Sequence, residues 1–150
     1  FNGEESDVLG RFIRAIPWTY VSSVVRVTGD CPLIDSEIID TTIEYYLKND
    51  YDYVYSAPAY PEGTDTEVIR YSALSIAHTE STDREEREHV VKFIVDRPDR
   101  FKIGIMPTDK PFRNKWSVDT VEDLQFVIHV YKELGNRFSY KDVLKLEESK

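Results

Sequence analysis

Residues 24–28, "VVRVT", carry β-branched side chains with almost no polar alternation, the pattern of a strand buried on both faces. Gly29 and Asp30 end that run. The next segment, "DSEIIDTTIEYYLKND", repeats apolar positions at Ile38, Ile39, Ile43, Tyr46 and Leu47, a helical spacing, with Asp35 placed to cap its first turn. "YDYVYS" and "EVIRYS" (67–72) read as strands, and "STDREEREHVVKFIVDRP" as one helix capped by Ser81, Thr82 or Asp83 and stopped before Pro98. "FKIGIMP" is a further strand, and "KWSVDT" has the form of one ending in Asp119. The helix "VEDLQFVIHVYKELG" then sets Leu124, Val127, Ile128, Tyr131 and Leu134 on one face and stops at Gly135, and a short helix follows Tyr140. Strands separated by helices predict an α/β fold: right-handed crossovers and a mixed, mostly parallel sheet with helices on both faces. In such sheets ligands bind beyond the carboxyl ends of the strands, which is where Asp30 and Asp119 fall.

Composition narrows the classes. The 150 residues fit one domain, and 41% hydrophobic content is enough for a packed core. A formal charge of −9 leaves no basic field to hold a nucleic-acid backbone, so any phosphate binding must be local or metal-assisted. One cysteine, Cys31, cannot form an internal disulfide, and no apolar run approaches the ~18 residues of a membrane span. A reducing cytoplasm is the expected compartment. Internal repeats and low-complexity segments are lacking, and the looser stretches are "SAPAYPEGTDT" and "PTDKPFRNK".

Two strand-end aspartates brought to one edge could share a divalent cation, since Mg²⁺ is commonly held by one or two carboxylates plus substrate phosphates. The alternative is that Asp30 and Asp119 cap the helices that follow them. In "YPEGTDTEV", alternation puts Asp65 and Glu67 on one face, able to hydrogen-bond sugar hydroxyls or complete a metal site; otherwise the stretch is a solvated loop. Arg84, Arg87 and His89 lie on a charged helix face that i,i+4 pairing would explain without a ligand. His78 and His129 read as structural, and Cys31, with no base partner in view, as a small packing residue. The phosphate-binding P-loop, the dinucleotide fingerprint, the H-E-x-x-H zinc motif and paired zinc cysteines are all missing.

The blocks "EESDVLGRF", "VVRVTGDCPLIDSEIID", "YDYVYS", "YPEGTDTEV", "REHVVKFI", "RFKIG" and "KWSVDTVEDL", in this order, resemble the spore coat polysaccharide biosynthesis protein F family. That family is related to the cytidylyltransferases that make CMP-activated acidic sugars such as CMP-sialic acid and CMP-Kdo. The resemblance implies a three-layer α/β/α sandwich of the nucleotide-diphospho-sugar transferase type. It also implies a reaction in which a sugar oxygen attacks the α-phosphate of CTP and releases pyrophosphate, with Mg²⁺ held by Asp30 of "GDCP" and Asp119 of "DTVEDL". By the same resemblance Asp65, Glu67, Arg87, His89 and Arg11 are candidates for substrate binding, and the product is a CMP-sugar for surface polysaccharide; separately, a homodimer is one way to cover the sheet edge and apolar surface that absent upstream strands would leave.

This stretch departs from the family pattern in several places. The family opens with an A-R-x-x-S-x-R-L-P-G-K type loop that cradles the triphosphate, and nothing like it is present, so residues 1–150 are expected to be the carboxyl-terminal portion of a single nucleotidyltransferase-like domain and, alone, poorly competent in catalysis. Lys115 stands where arginine commonly precedes the tryptophan, Thr64 and Thr66 replace apolar residues, and Pro17 ends the first helix early. Two other functions fit the same residues: a glycosyltransferase of the same fold using a nucleotide-sugar donor, and a non-catalytic sugar-nucleotide-binding module.

Overall fold

The computed structural model describes residues 3–17 and 21–149; of the "AIPWTYVSS" segment, Trp18, Thr19 and Tyr20 lie outside the described residues. In chain order the elements are α1 (Val8–Ala15), β1 (Ser23–Arg26), α2 (Ser36–Asn49), β2 (Tyr53–Tyr55), β3 (Glu67–Arg70), α3 (Tyr71–Glu80), α4 (Arg84–Glu88), α5 (Lys92–Val95), β4 (Ile103–Ile105), α6 (Val121–Leu134) and α7 (Tyr140–Glu148). The strands form a four-stranded sheet in the order β1-β3-β2-β4. It is mixed, but not mostly parallel: β3 runs antiparallel to both of its neighbours, and only β2 and β4 are parallel. The reason lies in the connection. No crossover helix separates β2 from β3, so the chain returns directly and the two strands pair head to tail.

Alternate side chains along the strands enter different cores. Tyr53 and Ile69, with Val24, Tyr55 and Ile103, pack against Leu9, Ala73, Leu74, Ala77, Val90, Phe93 and Ile94 from α1, α3 and the α5 segment. Val54 and Val68 turn the other way, onto Tyr46 and Ile43 of α2. A third cluster joins Leu33, Trp116, Val127, Val130 and Val143, tying α6 to α7.

Several expectations need correction. β1 is not buried on both faces; it is an edge strand in which Val25 is 40% exposed, and beyond its end Val27 is 48% exposed. "KWSVDT" forms no strand, only a single parallel bridge between Lys115 and Glu62, because beyond Trp116 the Val118 N–H turns to the Asp30 carbonyl instead of extending that ladder. The helix over 81–98 is broken at the extended residue His89 into α4, which buries nothing, and α5, which buries Phe93 and Ile94. On α6 the buried face is Val127 and Val130, whereas Leu124, Ile128 and Tyr131 are exposed; with apolar residues nearly all round this helix, the packing of α7 and Trp116 decides which side is covered. α3 follows β3 without a turn and without a capping side chain, so no local signal marks its start.

Candidate active site

β1 and β2 are both antiparallel to β3, so they point the same way, and their carboxyl ends meet the start of β3 at one edge of the sheet. Two loops are clamped to that edge. The Pro61–Thr66 turn needs glycine at 63: φ is +91°, and a Cβ there would sit 2.3 Å from the Ser117 nitrogen. With that close approach, Trp116 N–H donates to the Glu62 carbonyl (2.8 Å) and Glu62 N–H to the Asn114 carbonyl (3.0 Å). Thr64 and Thr66, both fully buried, shape the turn, the Thr64 hydroxyl donating to the Pro61 carbonyl at 2.7 Å. A second clamp is the Val118 N–H, which donates to the Asp30 carbonyl at 2.8 Å. Through it the strand-end residue Asp30 and the segment carrying Asp119, far apart in sequence, become neighbours.

Neither aspartate caps a helix. The α2 cap is Asp35, whose Oδ1 accepts from Glu37 N–H at 2.7 Å while its Oδ2 accepts from Tyr140 N–H, the first residue of α7, also at 2.7 Å. The α6 cap is Thr120, in a reciprocal box with Asp123. Asp30 and Asp119 are therefore left exposed at the edge without a helix-terminal role. The Thr28 hydroxyl, helped by the donors of Asp30 and Cys31 and by the Arg26 charge, outweighs burial and holds the Asp30 carboxyl below the usual carboxylate range, so it is anionic at neutral pH. Asp119 is met by Lys115 at 2.7 Å, and the Ser117 hydroxyl joins it to Glu62 at 3.4 and 3.2 Å. Among the described residues there is no cluster of three or more acidic, histidine or cysteine side chains fit to hold a metal. Two carboxylates are still a donor set that suits Mg²⁺, whose remaining positions are filled by phosphate oxygens and water.

Asp65 and Glu67 come to the same edge in different states. Glu67 is 7% exposed and bound by Arg26 and the Tyr53 hydroxyl. Asp65 receives a long hydrogen bond from Gly63 N–H, 3.4 Å, and interacts with the Tyr55 hydroxyl, while its Oδ1 is buried without a well-formed hydrogen bond among the described residues. Burial first, opposed by Gly63 N–H and the Tyr55 hydroxyl and reinforced by the charges of Glu62 and Glu67, raises its pKa. Together Arg26, Thr28, Tyr55, Asp65 and Glu67 line a cavity of about 110 Å³. The other candidates have different surroundings. Arg87 binds Asp7, the α1 cap, at 2.6 Å and the His78 carbonyl at 2.8 Å. Arg11 donates to the Glu5 carbonyl, and His89 is exposed at the end of α4. None of these contacts reaches the strand-end residues. Cys31 is 6% exposed, with Sγ 3.0 Å from the Thr28 hydroxyl, and burial raises its thiol.

A family model described as cytidylyltransferase matches residues 1–149. The chain belongs to the cytidylyltransferase family. It is 34% identical over 135 residues to an uncharacterized protein of Methanocaldococcus jannaschii, covering 88% of this chain and 55% of that protein. To the Bacillus subtilis spore coat polysaccharide biosynthesis protein SpsF it is 30% identical over 141 residues, 91% of this chain and 58% of that one. The structure of a cytidylyltransferase from Leptospira borgpetersenii matches with a TM-score of 0.89 at 27% identity, over 99% of this chain and 65% of the other. The chain thus spans a little more than half the length of the curated relatives it matches. No helix among its described residues is long and apolar enough to cross a membrane.

Sequence reasoning missed Arg26, Thr28 and Tyr55. The signal for Arg26 was available: a single charge inside a β-branched run has to be paired once the strand is partly covered, and a paired charge at a strand end is a candidate for a site.

Proposed function

We propose that this chain is the carboxyl-terminal portion of a CTP-dependent nucleotidyltransferase domain, a three-layer α/β/α sandwich when complete, that activates a sugar, of the acidic class, as a CMP-sugar for surface polysaccharide synthesis in the cytoplasm. The observation that carries this reading is the division of labour at the strand ends. Asp35 and Thr120 cap the helices, so Asp30 and Asp119, whose segments the Val118–Asp30 hydrogen bond brings together, have no capping duty and stand exposed at the strand ends, Asp119 beside Lys115. Asp30 and Asp119 would hold Mg²⁺, which when bound supplies charge neutralisation at the α-phosphate and the departing pyrophosphate. Lys115, already beside Asp119, keeps that carboxylate oriented in the absence of a cation. Family membership and the Leptospira neighbour support the nucleotide; the SpsF relative supports the polysaccharide context.

The test is a thermal-shift titration of the complete protein with CTP, UTP and a UDP-sugar, each with and without Mg²⁺. A Mg²⁺-dependent shift with CTP alone is the expected result. A shift only with the UDP-sugar would replace this reading with a glycosyltransferase, and no shift with any of them would replace it with a non-catalytic module.

A further inference from the structure

Both oxygens of Glu67 are already engaged. Its Oε2 takes Arg26 Nη1 at 2.5 Å, its Oε1 takes the Tyr53 hydroxyl at 2.8 Å, and the side chain is enclosed. Arg26 faces Glu67 directly across the β1–β3 ladder and Tyr55 faces it across β2–β3, so one carboxylate anchors a row of polar side chains spanning three strands. The guanidinium makes no other hydrogen bond among the described residues, and it has five N–H groups. Arg26 therefore presents unused donors to the cavity it lines. Asp65 presents the opposite, a buried acceptor oxygen without a well-formed hydrogen bond among the described residues. A donor and an acceptor left open toward one small space call for a group that both accepts and donates.

A hydroxyl is such a group. A ligand carboxylate is not: it would satisfy Arg26 but add a third anion to a cavity that already sets two carboxylates against one guanidinium. The cavity is small, about 110 Å³, and open on one side, which suits the polar edge of a ligand. We propose that this cavity receives a neighbouring pair of sugar hydroxyls, with Arg26 donating to them and Asp65 accepting from them, and that Glu67 is a positioning residue for Arg26 and does not touch the sugar. The identity of the ligand as a sugar rests on the proposed function; the sugar's carboxylate then lies outside this cavity.

The test uses the complete protein and free sugars without nucleotide: Kdo, N-acetylneuraminate, N-acetylglucosamine and glucose, followed by saturation-transfer NMR, with Mg²⁺–CTP binding measured separately. For the sugar that binds, Arg26→Gln and Asp65→Asn are each expected to weaken affinity at least tenfold, Glu67→Gln to do the same through Arg26, and Arg26→Lys to restore part of it, while the CTP shift is unchanged. Deoxy analogues taken round the sugar should include one or two that bind weakly to the wild type but lose nothing further in Arg26→Gln, a coupling that a merely structural arginine would not give. Tighter binding of an acidic sugar by Asp65→Asn, an unchanged affinity in Arg26→Gln, or no binding of any panel sugar would overturn the assignment. Sugar binding that depends on Arg26 in a protein that ignores CTP would sustain it and overturn the cytidylyltransferase reading instead.

Discussion

Asp35 and Asp65 are both aspartates drawn off the surface, and they are treated in opposite ways. Asp35 is 7% exposed, and each of its oxygens accepts an N–H from a different helix start, α2 on one side and α7 on the other. Asp65 has a long contact from Gly63 N–H and a loose one with the Tyr55 hydroxyl, and its Oδ1 lacks a well-formed hydrogen bond among the described residues. A buried carboxylate saturated by backbone donors holds the fold together, whereas one kept short of donors is a standing cost that the fold tolerates only where something else arrives to satisfy it. A milder contrast separates Thr120 and Asp123, closed on each other at the start of α6, from Asp30 and Asp119, exposed at the edge with no helix to cap.

The largest effect should come from the open pair. Asp30→Ala or Asp119→Ala in the complete protein is expected to lower CTP-dependent pyrophosphate release at least ~100-fold, about 2.7 kcal/mol in the barrier, without moving the melting temperature. Next is the saturated carboxylate. Asp35→Ala removes the α2 cap, roughly 0.5–2 kcal/mol, and a hydrogen bond to the first residue of α7, whose own cap is Ser139, roughly 0.5–1.5 kcal/mol, so a loss of about 2 kcal/mol is expected, read as a fall in Tm of roughly 4–8 °C. A loss no greater than that of an ordinary surface aspartate would dissolve the contrast. Asp65→Asn should go the other way: removing a charge that burial disfavours is expected to raise Tm by about 1–2 °C, and a fall in Tm would mean that Asp65 is a structural residue like Asp35.

The smallest effect concerns acid. The backbone N–H of Asp119, then Lys115 and the N–H of Thr120, pull Asp123 down to about 2. Because its pKa is depressed in the folded state, its contribution is complete above the unfolded value of about 3.8 and is lost as pH falls through about 2. Thermal melts of wild type and Asp123→Asn should therefore differ at pH 5 and converge towards pH 2; a constant difference would remove Asp123 from the acid response.

Much of this could be read from the residues. The α2 and α6 helices are legible because their ends carry strong local chemistry, Asp35 at one start and Gly135 at the other stop. α3 was invisible because it begins directly after β3 with Arg70 in place of a capping side chain. The exposure of Val25 depends on which strand lies beside β1, and the direction of β3 on a connection that lacks a helix; neither is a property of the local run. At the site, the position of Asp30 at a strand end was readable, as was the loop bearing Asp65. Asp35 as a cap was readable too, but whether Asp30 and Asp119 also cap was not, since capping depends on backbone geometry a few residues away. Nor was the use of Glu67 by Arg26, a pairing across 41 residues.

The account turns on Asp30 and Asp119 acting together on a metal-bound nucleotide. The most direct measurement is an electron paramagnetic resonance titration of Mn²⁺ in the presence of CTP, on the complete wild-type protein and on Asp30→Asn and Asp119→Asn. Nucleotide-dependent Mn²⁺ binding that is lost in both variants is the predicted result. Retention of that binding in either variant would contradict it.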